Sequence, residues 1–209
     1  MLISLDKIIK DYSIKIQGVI HIGAHYGQEY NDYIRNNINN LIFFEPLKKN
    51  FNVLLSNIVL SDTIKAYNTA LGNITGTIEM FVETVNQGMS SSILKPEIHL
   101  KQYPNIVFDN KELVKIDKLD NIEFNRTEFN MINIDVQGYE MEVFKGSLET
   151  LNNIDIIYSE VNRDEVYEKC CRVEELDNFL SKYGFNRVLT SWDGNTWGDA
   201  LYLKNNKSI

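Results

Sequence analysis

The residues Gly23-Ala24-His25-Tyr26-Gly27 follow a short apolar run and precede residues at helical spacing. A glycine turn between a strand and a helix lets a ligand approach the backbone closely. The free N–H groups that open the next helix suit an anionic or polar ligand group. Two ligand classes favour such a turn. A dinucleotide turn, GxGxxG, needs glycine at 23, 25 and 28, where this chain has Gly, His and Gln. The GxGxG spacing of S-adenosylmethionine sites needs glycine at 23, 25 and 27, where it has Gly, His and Gly. One mismatch against two favours the methyl donor over NAD. An ordinary strand-to-helix turn is the competing reading.

Three acids extend the pattern. Glu45 closes the apolar run LIFFEP, 22 residues after Gly23. An acid at that place can accept both ribose hydroxyls of an adenosine; its plain alternative is a carboxylate at the start of the next helix. Asp135 and Glu160 close two later apolar runs, INID and IIYSE. Buried strands that end in carboxylates must provide partners for those charges. Asp135, Glu160 and His25 are the candidate proton acceptors of this edge, Asp135 first. His25 is equally readable as a wall beside the ligand. His21, His25, Asp135 and Glu160 can converge on one edge, but the two histidines lie across a turn rather than on one helix face. No metal site is expected.

The elements that position these residues follow from periodicity. Leu5, Ile8, Ile9 and Tyr12 have helical spacing after Ser4, a plausible N-cap, giving an N-terminal helix within 1–16. A strand over about 17–22 ends in the glycine turn, and Tyr26, Tyr30, Tyr33 and Ile34 mark a helix. The run at 41–45 reads as a strand buried on both faces. Pro46 suits the first position of a helix over 47–58. Residues 64–68 give a third strand, so the first 70 residues read β-α-β-α-β, half of a doubly wound parallel sheet. GTIEMFV (76–82) and ELVKIDKLD (112–120) read as strands around an irregular insertion, 83–112, expected to shape an acceptor pocket. Within it Asn86, Ser90, Ser91 and Ser92 offer groups that can hydrogen-bond a sugar, although serine also simply populates loops. Strands over 129–138 and 153–162 alternate with helices marked by Met141 to Leu151 and Val173 to Tyr183, with Cys170 and Cys171 starting the second. The segments 185–192 and 198–204, joined by DGNTW, form an antiparallel hairpin. Trp192 and Trp197 flank its turn and are candidates for stacking on a sugar ring, with core or rim packing the competing reading for each. The expected fold is α/β, a doubly wound, mostly parallel seven-stranded sheet with a C-terminal antiparallel hairpin, in one domain over 1–209.

Composition sets the boundaries. With 44% hydrophobic and 24% charged residues among 209, the chain has a globular balance. Its 21 basic and 29 acidic residues give a net charge of −8, which disfavours nucleic acid and anionic membrane as partners. No apolar run approaches the roughly 18 residues of a membrane span. Two adjacent cysteines cannot build a disulfide framework, and no signal-peptide core opens the chain, so a reducing cytoplasmic setting is expected.

The segments VIHIGAHYGQE, IFFEP, NTALGN, INIDVQGYEMEVFKG and IIYSEVN resemble, in order and spacing, the FkbM-like family of class I S-adenosylmethionine-dependent O-methyltransferases. The resemblance covers roughly residues 17–204. Its most specific part is IDVQGYEMEVFKG, beside the family's I-D-V-E-G-x-E-x-x-V-L-x-G. Two positions depart from the pattern: His21 stands where the family usually has an acid, and Gln137 where it usually has Glu. The resemblance implies S-adenosyl-L-methionine as methyl donor. It implies donor contacts from Gly23, Ala24, His25 and Gly27 around the methionine moiety, ribose binding by Glu45 and an adenine pocket at Ala70 and Leu71. Asp135 would face the methionine end or the acceptor. It implies an O-methyltransferase acting on a hydroxyl of a sugar, glycan or glycosylated small molecule. A non-catalytic donor-binding module and, less favoured by the turn spacing, an NAD-type oxidoreductase are the alternatives.

Overall fold

A computed structural model of the chain describes residues 1–205. Its main sheet is assembled from the apolar runs. Strands β1 (Gly18–Ile22), β2 (Asn40–Phe44) and β3 (Ile64–Tyr67) pair in parallel, with β1 central between β2 and β7 (Met131–Ile134). β8 (Ile156–Asn162) continues the parallel set beside β7. β9 (Phe185–Asp193) and β10 (Trp197–Lys204) form the terminal hairpin, and β10 inserts antiparallel between β8 and β9. The spatial order is β3-β2-β1-β7-β8-β10-β9. This is the seven-stranded, doubly wound sheet expected from the alternation.

Side chains alternate across the strands, so each face of the sheet needs its own cover. Val19, Leu41, Phe43, Met131 and Tyr158 face Leu5 and Ile8 of α1 (Leu5–Tyr12), Tyr30 and Tyr33 of α2 (Tyr30–Arg35), and Phe51 and Leu54 of α3 (Lys48–Asn57). Ile20, Ile22, Phe44, Ile132, Ile134 and Ile157 face Val143 and Phe144 of α5 (Glu140–Lys145), and Leu176 and Leu180 of α6 (Val173–Ser181). Both layers are built mainly from buried apolar side chains, and most of the polar groups discussed below collect at the strand ends.

Several boundaries differ from expectation for identifiable reasons. Pro46 does not open α3. The Glu45 carboxylate accepts the N–H of Leu47 at 2.9 Å, which makes Leu47 the extended N-cap and leaves Pro46 outside the helix. Tyr26 lies in a turn, and α2 begins only at Tyr30. The helix expected over 141–151 is broken after Lys145: Gly146 packs so closely on Gly72 that a Cβ would lie 1.9 Å from its carbonyl oxygen, and one 3-10 turn follows at Thr150–Asn152. Cys170 and Cys171 precede α6 rather than starting it.

The strands around the insertion do not join the main sheet. β4 (Ala70–Leu71), β5 (Gly76–Val82) and β6 (Asn110–Asp117) form a second sheet in the order β4-β6-β5. Between β5 and β6 the insertion carries a short helix, α4 (Ile98–Gln102). No helix among the described residues is long and apolar enough to cross a membrane.

Candidate active site

A cavity of about 320 Å3 opens at the carboxyl ends of β1, β2, β7 and β8. Open α/β sheets place their ligands at this edge, and the volume falls in the roughly 300–1,000 Å3 range of small-molecule sites. Of the residues singled out from the sequence, Gly23, Ala24, His25, Glu45, Ala70, Leu71, Ser91, Asp135 and Glu160 line it.

Each wall has a local cause. Gly23 has φ of 78°, and a Cβ there would lie 1.8 Å from the carbonyl oxygen of Asp135. The turn after β1 therefore presses onto the end of β7, and only glycine fits. His25 is also left-handed, with φ of 47°. Its N–H donates to Glu45 Oε2 at 2.9 Å. One carboxylate thus ties the glycine turn to the start of α3. Burial pushes the Glu45 carboxyl up to about 8; its bonds from Leu47 and His25 oppose the shift and the charge on Asp135 adds to it.

Asp135 is exposed and Glu160 is buried, 4% accessible. Gln137 joins them. Its side-chain NH2 donates one proton to Asp135 Oδ1 at 2.7 Å and the other to Glu160 Oε2 at 2.6 Å. Its side-chain carbonyl oxygen lies 2.7 Å from the Tyr167 hydroxyl, whose one proton is shared between it and the backbone carbonyl of Ser90 at 2.9 Å. A glutamate at 137 would place a third acid between two others without a donor, so the amide suits this arrangement. Burial, then the charges on Asp135 and Glu140, hold Glu160 well above the ordinary carboxylate range. That shift disfavours the ionised form of Glu160, which leaves the exposed Asp135 as the candidate proton acceptor.

His25 is not free to act as a base. Its Nε2–H donates to the carbonyl of Gln87 at 3.0 Å, and Nδ1 accepts from Gln28 Nε2 at 2.8 Å. A carbonyl can only accept, which places a proton on Nε2. The ring is a strut between the glycine turn and the insertion, stacked on Tyr26 at 3.9 Å.

Other sequence candidates lie off the cavity wall. Gly27 faces away: a Cβ there would meet Leu54 of α3 at 2.6 Å, so its glycine serves packing. Asn86 is exposed, and its N–H, like those of Val85 and Gly88, is bonded by the buried Glu83 carboxylate. Ser92 is fully buried, donates to the Gln137 carbonyl at 2.7 Å and accepts from Leu94 N–H. It anchors the insertion under the acid pair. Ser90 contributes its carbonyl to Tyr167. Trp197 is half-buried and donates its indole N–H to Tyr103 at 3.0 Å. Trp192 has its face covered by Arg163, 3.7 Å from the ring centre.

The cavity also has walls that periodicity did not single out: Gln28, Glu29, Met80, Ile93, Asn133, Tyr158 and Asp199. Asp199 stands opposite Glu160 in the β8–β10 register, a placement that a sequence read strand by strand does not reveal. Its carboxylate accepts Leu2 N–H and the Tyr158 hydroxyl. His21 also lines the cavity, from the α2 face of the sheet. Its Nδ1 shares a hydrogen bond with the Tyr33 hydroxyl at 3.3 Å, and that hydroxyl accepts from Asn133 at 2.7 Å. Burial lowers the His21 pKa, so the ring is neutral at neutral pH.

Solved structures share this architecture. A putative tRNA (m1A22) methyltransferase from Streptococcus pneumoniae superimposes with a TM-score of 0.56 over 100% of this chain and 73% of its own, at 11% identity. A putative S-adenosylmethionine-dependent methyltransferase from Listeria monocytogenes gives 0.54 over 90% and 91%, at 8% identity. Sheet order, hairpin and cavity define a class I methyltransferase fold. The family model for the methyltransferase FkbM domain matches residues 21–187, and the chain belongs to that family. A 2-O-methyltransferase, NoeI, from Sinorhizobium fredii is 25% identical over 197 residues, 90% of this chain and 79% of that protein. The protein is an S-adenosylmethionine-dependent methyltransferase.

Proposed function

We propose that the protein transfers the methyl group to a hydroxyl of a sugar, glycan or glycosylated small molecule, with the donor lying across the carboxyl edge of the sheet. The carrying observation is the placement of Glu45 and Asp135 on two walls of one cavity. A buried acid beside Ala70, Leu71, Met80 and Ile93 suits a ribose diol next to a flat apolar base. The donor's chemistry fits these walls. When bound, it supplies an electrophilic methyl on a sulfonium and its own leaving group. The chain supplies position and a proton acceptor. Glu45 accepts the ribose hydroxyls; Ala24 and Gly23 bring backbone close to the amino-acid tail. Asp135 takes the proton from the acceptor hydroxyl. Gln137 holds its carboxylate toward Glu160. Ser91 and Gln28 offer polar groups at the same wall.

The Sinorhizobium relative is a 2-O-methyltransferase, which supports oxygen as the acceptor atom. The chain's net charge of −8, with acids such as Glu29 and Asp135 on the cavity wall, disfavours a polyanionic acceptor such as nucleic acid. The test is a screen of oligosaccharides, sugar nucleotides and short RNAs with isotopically labelled donor, read by mass. A labelled methyl ether on a sugar supports the proposal; labelled RNA alone overturns it.

The raised pKa of Glu45 sets a pH dependence. Ribose hydroxyls donate to the ionised form, so donor binding draws the carboxyl down and releases a proton. Donor affinity then rises with pH up to about 8, by at most roughly tenfold per pH unit for one proton, and levels off above. Calorimetry in two buffers of different ionisation heat measures the proton. A flat profile would show that Glu45 keeps its charge state on binding.

A further inference from the structure

The donor carries an α-ammonium on its amino-acid tail. An ammonium has three N–H donors and no acceptor, and a carboxylate is its strongest partner. Five carboxyls line the cavity, and four of them accept hydrogen bonds of 2.9 Å or less from donors fixed in the fold. Glu45 takes Leu47 and His25. Asp135 and Glu160 share the Gln137 amide. Asp199 takes Leu2 and Tyr158.

Glu29 differs. It stands just ahead of α2, at the far end of the segment that begins with the glycine turn, and its side chain is 20% exposed. Its carboxylate accepts from its own backbone N–H and, at 3.5 Å, from the ammonium of Met1, so the groups already gathered around it include a primary ammonium. His21 Nε2 is 4.0 Å away and the nitrogen of Met1 is 3.5 Å away. His21, at the end of β1, brings no negative charge to this part of the wall, so Glu29 is its source of anion. Its place also fits the length of the donor. Glu45 and Ala70 follow β2 and β3, whereas His21 belongs to β1, one strand further in. A ligand with its ribose at Glu45 and its base at Ala70 points its tail along the glycine turn toward His21 and Glu29.

We infer that Glu29 is the anchor for the α-ammonium of the methyl donor, a binding residue distinct from the Glu45 ribose contact. The inference rests on the donor orientation proposed above. It assigns the amino end of the donor to the β1–α2 side of the cavity and leaves Asp135 free for the acceptor.

Calorimetry on the full chain separates the two contacts with three probes: S-adenosylhomocysteine, its desamino analogue, and 5′-methylthioadenosine, which keeps the nucleoside and lacks the amino acid. Wild-type protein should bind S-adenosylhomocysteine at least tenfold tighter than either of the others. Glu29→Gln should lose about tenfold or more for S-adenosylhomocysteine. It should bind 5′-methylthioadenosine within about twofold of wild type. In that variant, removal of the ligand's amino group should no longer matter. An equal loss for all three probes, or no loss, overturns the inference. Should Glu29→Gln fold poorly, the wild-type comparison of S-adenosylhomocysteine with its desamino analogue still decides: equal affinities overturn it. Failure of wild-type protein to bind even 5′-methylthioadenosine would instead remove the nucleoside site, and both readings with it.

Discussion

Glu45→Ala weakens donor binding roughly ten- to hundredfold, because charged hydrogen bonds of about 1.5–3 kcal/mol to the ribose are lost. The variant separates two functions of one side chain. Glu45 also bonds the N–H groups of His25 and Leu47, so its removal loosens the glycine turn and the start of α3. Loss of that cap alone would lower the melting temperature and leave the donor affinity of the folded protein unchanged. The proposed role requires a fall in affinity at temperatures where the variant is fully folded. Calorimetric titration with S-adenosylmethionine, beside a thermal melt, reads both. An unchanged affinity would reduce Glu45 to a helix cap.

Asp135→Asn slows methyl transfer by about 10²–10⁴, the usual worth of a general base, while donor affinity stays near wild type. Asparagine keeps the shape of the side chain and an oxygen for the Gln137 amide, so the wall survives. What it lacks is a lone pair basic enough to take a hydroxyl proton. Glu160 is a poor substitute, because it is buried, already holds the Gln137 amide, and burial with neighbouring charge disfavours its ionised form. His25 is another, because both ring nitrogens are occupied. Single-turnover rates with saturating donor measure the effect. Full activity in Asp135→Asn would remove it as the base and point to proton loss directly to water.

Much of this architecture is legible from local patterns. Strands buried on both faces write themselves as unbroken apolar runs, as in Leu41–Phe44 and Met131–Ile134. The acids that close those runs then fall at the cavity edge by geometry. The hairpin at 185–204 is equally local, since a turn of Gly194 to Thr196 joins two β-rich segments. Illegible features depend on distant partners. Asp199 reaches the site through the pairing of β10 with β8, which no local signal fixes. The separate sheet of β4, β5 and β6 needs Ala70 and Leu71 to leave the main sheet and pair with Ile116 and Asp117. The serines of the insertion looked alike in sequence. Only Ser91 reaches the cavity, because Ser92 is drawn under Gln137 and Ser90 is held by Tyr167. Glycine is ambiguous in the same way: Gly23 and Gly27 share a motif, yet one faces β7 and the ligand edge while the other packs on Leu54.

The most direct measurement is a crystal structure of the protein with S-adenosylhomocysteine. The ribose hydroxyls should lie within hydrogen-bond distance of Glu45, with the base against Ala70 and Leu71 and the sulfur turned toward Asp135. A ligand found away from the carboxyl ends of β1 and β2, or one whose ribose makes no contact with Glu45, would contradict the proposed site.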